Sequence, residues 1–194
     1  LRDWDGKPFA TPPLFYNAVD DFTADVLTQV SNEVCIIRDA IKVRYPMVGM
    51  DGVKHVEEWM RTTYAGQMGD EKNLQTCIST NQGYQGLKHP VVNVPGGCTI
   101  DFKHRYYTEN VPGLLSIRST GEMLGIPTPN TDKVILWCQE KMGKTYLSGG
   151  KVAGARLVFF GRGGSVQLAF FWCCLRILGL ALLSITSSSI QTSA

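Results

Sequence analysis

Apolar residues recur at helical spacing through most of the chain. Val19, Phe22, Val26, Val30, Ile37 and Ile41 follow one another at three-, four- or seven-residue steps, the apolar stripe of an amphipathic helix that Pro46 must end. Asn17 or Asp20 is placed to cap it, and Asp20-Asp21 lies where the helix dipole favours negative charge. Upstream, Pro8, Pro12 and Pro13 interrupt residues 1–16, which read as an extended lead-in with Phe15-Tyr16 as its apolar anchor. A second helix carries Val53, Val56, Trp59, Met60 and Tyr64 on one side and Lys54, Glu57, Glu58 and Arg61 on the other, closing at Gly66. A short third helix near 71–80 presents Leu74, Cys77 and Ile78, after which the turn-rich residues 81–104 read as irregular. Pro112 suits the first turn of a fourth helix, with Thr108 or Asn110 as caps and Leu114, Leu115, Arg118, Met123 and Leu124 continuing it. Residues 125–129 stop that helix. Asn130 or Thr131 then opens a fifth, with Val134, Ile135, Cys138 and Met142 apolar and Gly143 as its stop. With no convincing alternating strand, the pattern predicts an all-α bundle of about five helices.

Composition adds a boundary. At 194 residues and 44% apolar content the chain can bury one real core, but from Ala155 the character changes to a Gly/Arg stretch, an apolar run and a Ser/Thr-rich end. The expected division is a helical domain over 1–154 and an unrelated tail over 155–194. Residues 166–183 would reach about 27 Å as a helix, nearly a bilayer core. Gln167 and Arg176 oppose a membrane anchor, since a central arginine costs roughly 2.5–3.5 kcal/mol. The acid-free tail also suits an aberrant end, such as a shifted frame. A membrane partner is therefore the disfavoured reading.

Charge and cysteines narrow the classes further. Arg156, Arg162 and Arg176 lie in the tail, where no acid occurs, and setting them aside turns the net +2 into −1. A body without a basic run excludes a nucleic-acid footprint. The six cysteines include no C-x-x-C pair and no histidine in ligand register, so no metal site is expected, and reduced thiols fit a cytoplasmic protein. The chain opens on Leu1 and reads like the exit from an earlier element, which predicts a truncated piece of something larger.

The chemistry concentrates in residues 96–112, where a glycine pair, cations, the adjacent Tyr106-Tyr107 and a helix start crowd together. Arg105 offers a permanently charged planar fork suited to a carboxylate, although a surface ion pair is the commoner fate of an arginine. Beside Lys103 and Arg105, a proton on His104 is disfavoured, so it reads as solvent-facing. His55 and His89 show no partner. Trp59 at its spacing suits core packing, or the wall of a pocket.

Several ordered segments resemble the C-terminal helical domain of the opine dehydrogenase family, octopine dehydrogenases among them. They are Trp4-Asp5-Gly6-Lys7-Pro8, Pro13-Leu14-Phe15-Tyr16, Ser31-Asn32-Glu33, His89-Pro90, Asp101-Phe102 with Arg105-Tyr106, Thr108-Glu109, and Gln139 to Lys144 with Tyr146-Leu147. The resemblance spans residues 3 to 154 in one register. It implies reductive condensation of an amino acid with a 2-oxo acid such as pyruvate, using NADH held by an N-terminal Rossmann domain. That domain is expected to be absent from this chain, so no cofactor-binding residue is assigned and no NAD is expected to bind the chain alone. Gly161-Arg162-Gly163-Gly164 follows no βα unit and is not a dinucleotide fingerprint.

By the resemblance, Arg105 matches a substrate-orienting arginine and Trp59 a tryptophan lining the amino-acid pocket, while the family's catalytic histidine lies upstream of this chain. Asn110 stands where the family usually has aspartate. Asparagine can orient an imidazole but cannot stabilise an imidazolium. The expectation is thus a substrate-binding fragment inactive alone, with Arg105 and Asn110 at the catalytic centre. A stand-alone amino-acid-binding or membrane-tethered module is the alternative.

Overall fold

The computed structural model describes residues 4–153. Its central element is α1 (Asp21–Arg44), which contacts most of the other helices. The Asp20 side chain accepts the Thr23 N–H at 2.8 Å, with Asp21 in the first turn and Lys42 and Arg44 in the last, so both ends match the helix dipole. Around it pack α2 (Val56–Thr63), α3 (Leu74–Ser79), the single turn α4 (Arg105–Thr108), α5 (Val111–Leu124) and α6 (Pro129–Met142). Apart from that extra turn, these are the five helices the apolar pattern predicts, and the all-α class holds. Gly143, at φ 61°, takes the left-handed conformation that ends α6.

Three apolar clusters line α1. Tyr16, Ala24, Met60, Leu74, Cys77 and Tyr84 fill the space toward α2 and α3. Val34, Ile37, Ile41, Met50, Val53 and Ile117 form a second cluster, and Val30, Val111, Leu114, Leu115, Ile135 and Leu147 a third. A helix packed on several sides needs a broad buried arc, so Ala24 and Val34 join the core. Phe22, assigned to the buried stripe from its spacing, is instead 53% exposed.

Residues 81–104 are not irregular. Asn81 caps a 3-10 turn over Gln82–Tyr84, and β1 (Val91–Val94) pairs antiparallel with β2 (Gly97–Ile100). The signal was there in β-branched Val91, Val92 and Val94 before Pro95-Gly96, where proline presets the first central φ of a tight turn and Gly96 supplies the positive φ of 86° at the second. Phe9 extends this hairpin, exchanging backbone hydrogen bonds with Cys98 at 2.8 and 2.9 Å. A second hairpin, β3 (Leu147–Ser148) with β4 (Lys151–Val152), packs on α6.

The opening of α6 also differs from expectation. Thr128 is its cap position and Pro129 its first residue, rather than Asn130 or Thr131. Thr128 makes no side-chain cap bond; the capping oxygens come from Glu33 on α1. One carboxylate oxygen accepts the Asn130 backbone N–H at 2.7 Å and its side-chain amide at 3.0 Å, and the other accepts the Thr131 N–H at 2.9 Å and hydroxyl at 2.6 Å. Buried Arg118 joins the same region. It pairs with Glu122, lies 3.4 Å from Asp132 on α6 and donates to the Gly150 carbonyl, tying the second hairpin down.

No described helix is long and apolar enough to cross a membrane. The expected tail over 155–194, with its apolar run 166–183, lies outside the described residues.

Candidate active site

Arg105 is the first residue of α4, a turn of four residues. Its side chain is exposed, and none of the ion pairs or hydrogen bonds among the described residues engages the guanidinium. His104 caps the turn, its Nδ1 accepting the Tyr106 N–H at 3.1 Å, and is solvent-facing as expected. His55 does the same for α2, accepting the Glu57 N–H at 3.3 Å. Both histidines are thus helix caps. A ring nitrogen accepting from the backbone is a role that spacing alone does not announce.

Behind Arg105 the chain turns its aromatic pair inward. The Tyr106 and Tyr16 hydroxyls meet at 2.6 Å, and Phe15 packs edge-on against Tyr106 with centroids 5.0 Å apart. Tyr107 makes a 2.6 Å hydrogen bond to His89 Nδ1 and packs 5.3 Å from Phe102, which in turn meets Trp137. His89 therefore has partners after all, with the Phe15 ring 4.3 Å away on centroids.

The belt continues toward Trp59. Tyr16 stacks on Tyr84 at 4.5 Å, Tyr84 meets Tyr64 at 5.2 Å, and Tyr64 meets Trp59 at 5.6 Å, edge to face. Trp59 is partly buried against the first core cluster, which bears out its packing role and leaves part of the side chain accessible. A continuous run of rings thereby links the Trp59 neighbourhood to the turn that carries Arg105. Sequence reasoning singled out Trp59 and Arg105 but missed Tyr16, His89 and Tyr107. Their contacts join residues far apart in the chain, so only the adjacency of Tyr106 and Tyr107 hinted at them.

Burial fixes the protonation of this belt. It pushes the Tyr106 hydroxyl up to about 12 and drives Tyr16, Tyr84 and Tyr107 above the ordinary phenol range. The same desolvation pulls His89 down to about 4, so its imidazole is neutral at pH 7 and Nδ1 is free to accept from Tyr107. The belt is an uncharged wall, against which the guanidinium of Arg105 stands out.

Asn110 sits between α4 and α5. It occupies the cap position of α5 without a side-chain cap bond, and its amide donates back to the Tyr106 carbonyl. An aspartate could not make that bond, having no proton to donate when ionised. Among the described residues no His, Cys, Asp or Glu cluster could hold a metal. Their strands pair as two antiparallel hairpins, and no described strand leads through a glycine-rich turn into a helix, the fingerprint of a Rossmann dinucleotide site.

The geometry defines an all-α domain presenting an arginine on an aromatic wall, and comparisons with known proteins give its class. Residues 6–142 match the alpha-helical domain of NAD/NADP octopine/nopaline dehydrogenases. Tauropine dehydrogenase of Arabella iricolor is 42% identical over 155 residues, covering 79% of this chain and 39% of that protein. Octopine dehydrogenase of Mizuhopecten yessoensis is 41% identical over 152 residues, covering 78% and 38%. The structure of an octopine dehydrogenase with NADH and L-arginine matches with a TM-score of 0.74 at 37% identity, over 91% of this chain and 41% of that one. The chain belongs to the octopine/nopaline dehydrogenase family, whose enzymes are NAD-dependent, and carries the family's helical domain. It spans about two fifths of the length of these relatives.

Proposed function

We propose that this chain supplies the substrate-binding domain of an NAD-dependent opine dehydrogenase, which condenses an amino acid reductively with a 2-oxo acid such as pyruvate. The observation that carries the proposal is the exposed guanidinium of Arg105 at the head of α4, backed by the aromatic belt that runs to Trp59. A planar fork of donors grips a carboxylate with two parallel hydrogen bonds. Both substrate classes bring a carboxylate or an equivalent anion. Trp59 forms the wall against which the rest of the amino acid lies, by ring contact or by stacking on a cationic side chain.

Asn110, tied to the α4 turn, stands beside the reacting groups as a neutral orienting residue in this reading. The reaction also needs a hydride donor and a proton-transfer group. Both belong to a Rossmann domain and its adjoining segment in the complete enzyme, so the chain by itself binds substrate without turning it over. A cytoplasmic location belongs to the same proposal, supported by the free thiols of Cys35, Cys77, Cys98 and Cys138.

Calorimetry on the chain tests this directly, with L-arginine, L-alanine, glycine, taurine and pyruvate as probes. Binding of at least one amino acid is expected, weakened roughly tenfold or more in Arg105→Ala because a charge-assisted bidentate contact is lost. Trp59→Ala should weaken the amino acid more than pyruvate. Undiminished binding in Arg105→Ala would remove Arg105 from the site, and a tight NADH site on the chain alone would overturn the division of labour.

A further inference from the structure

A four-residue turn cannot hold its own shape. Helix nucleation fixes several dihedrals for each hydrogen bond gained, and α4 has room for few such bonds. Yet Arg105 is its first residue, so the direction in which the guanidinium leaves the surface depends on this turn. What holds α4 comes from outside it. Tyr106 is bonded hydroxyl to hydroxyl at 2.6 Å to Tyr16 in the N-terminal lead-in, ninety positions away. Tyr107 is bonded at 2.6 Å to His89 Nδ1, on the segment leading into β1. Phe15 and Phe102 pack against the two tyrosine rings, at 5.0 and 5.3 Å. Asn110 closes the turn from below through the Tyr106 carbonyl.

Each bond has a distinct chemistry. A neutral imidazole carries one donor and one acceptor nitrogen, so Nδ1 and the Tyr107 hydroxyl share a hydrogen bond whichever of the two supplies the proton. The Tyr16 phenol is buried and un-ionised, so one hydroxyl of the pair donates and the other accepts. The two side chains immediately following Arg105 are thereby tied to two stretches of chain, the lead-in at Tyr16 and the segment at His89, which are themselves bridged by backbone hydrogen bonds from Phe15 N to Leu87 O at 2.8 Å and from His89 N to Pro13 O at 2.9 Å.

We propose that Tyr16 and His89 are positioning residues for Arg105: their hydrogen bonds to Tyr106 and Tyr107 hold the α4 turn in the orientation that presents the guanidinium to a substrate carboxylate. The proposal rests on the reading of Arg105 as the carboxylate-binding residue, and its test separates the two.

Hydrogen–deuterium exchange is measured on the full chain for the α4 amides, whose bonds run from Thr108 N to His104 O, Glu109 N to Arg105 O and Asn110 N to Tyr107 O. Tyr16→Phe, Tyr107→Phe and His89→Leu should each speed this exchange roughly fivefold, the worth of one hydrogen bond. His89→Asn keeps an acceptor near the Nδ1 position and should restore most of the protection. Tyr146→Phe removes a hydroxyl of similar kind, bonded to Met142 Sδ on α6, and should leave α4 unchanged.

Amides of α1 in the same samples report global opening. A rise shared equally by α1 and α4 overturns the local role, and so does unchanged α4 exchange. In parallel, calorimetry compares L-arginine with agmatine, which is the same molecule without the carboxylate. The preference of the unaltered chain for L-arginine should shrink roughly fivefold in Tyr107→Phe, and a preference that survives while α4 loosens refutes positioning. If the unaltered chain shows no preference, the carboxylate role of Arg105 falls, and the exchange data still decide whether the two bonds hold the turn.

Discussion

Exchanging one oxygen for an amide in Glu33→Gln tests the least expected feature of the fold, a cap supplied from another helix. Glu33 is only 5% exposed, and its carboxylate accepts four hydrogen bonds from the first turn of α6. Glutamine has the same shape but one accepting oxygen. Turning its NH2 toward Asn130 would set donor against donor at both the N–H and the side-chain amide. The less costly rotamer turns the NH2 toward Thr131, where the hydroxyl can rotate and accept, leaving the Thr131 N–H unpaired. An unsatisfied buried N–H costs about 1–3 kcal/mol. Loss of negative charge at a helix N-terminus adds about 0.3–1 kcal/mol, more when partly buried. The removed cost of burying an ion offsets part of this, leaving roughly 1–3 kcal/mol of destabilisation.

Urea denaturation followed by circular dichroism measures this through the midpoint at unchanged slope. For a chain of this size the thermal midpoint should fall by roughly 2–4 °C per kcal/mol. A loss under about 0.5 kcal/mol would refute the cap, because so small a change belongs to an ordinary surface substitution.

Acid should weaken the fold through His89, whose titration lies near 6.5 when unfolded and about 4 when folded. Between these values the unfolded chain binds the extra proton, so stability falls as pH drops through that window, by roughly 2 kcal/mol after discounting for a half-buried ring. His89→Asn should flatten the difference in urea midpoint across that range, and an identical pH profile for both forms would contradict a buried neutral imidazole. Gly97→Ala should destabilise the hairpin by roughly 1–3 kcal/mol, since the new Cβ would stand 2.2 Å from the Phe9 carbonyl at a φ of 144°; a urea midpoint equal to the parent's would show that Phe9 can move away. Asn110→Asp gives a histidine's proton a carboxylate to pair with and should raise turnover in the complete enzyme, at the cost of faster α4 amide exchange because the bond to the Tyr106 carbonyl is lost. Steady-state kinetics check it, and equal rates would remove Asn110 from the mechanism.

Much of the bundle was legible because helical periodicity is a local property. The steps among Val30, Ile37 and Ile41, proline at the head of α5 and Gly143 after α6 need no knowledge of partners. The hairpin of β1 and β2 was readable too, from Pro95-Gly96 between β-branched residues, but turn-rich neighbours masked it. Arg105 and Trp59 were singled out by residue type and by an ordered series of motifs. The sequence by itself therefore determined the helices and the family, and singled out Arg105 and Trp59 as candidates.

Tertiary structure decided what those side chains rest on. Spacing marks a residue as apolar or polar but carries no record of which distant group it will meet. Glu33 capping α6, Tyr16 meeting Tyr106, and His89 bonding to Tyr107 are pairings across loops, closed only when the core brings the segments together. The same burial that makes these contacts also sets their protonation, since desolvation keeps the His89 imidazole neutral well below the ordinary histidine range. Composition places Arg105 in a cluster of chemistry; only the folded chain shows that the two tyrosines beside it are held by hydrogen bonds from distant segments while Arg105 itself stays exposed.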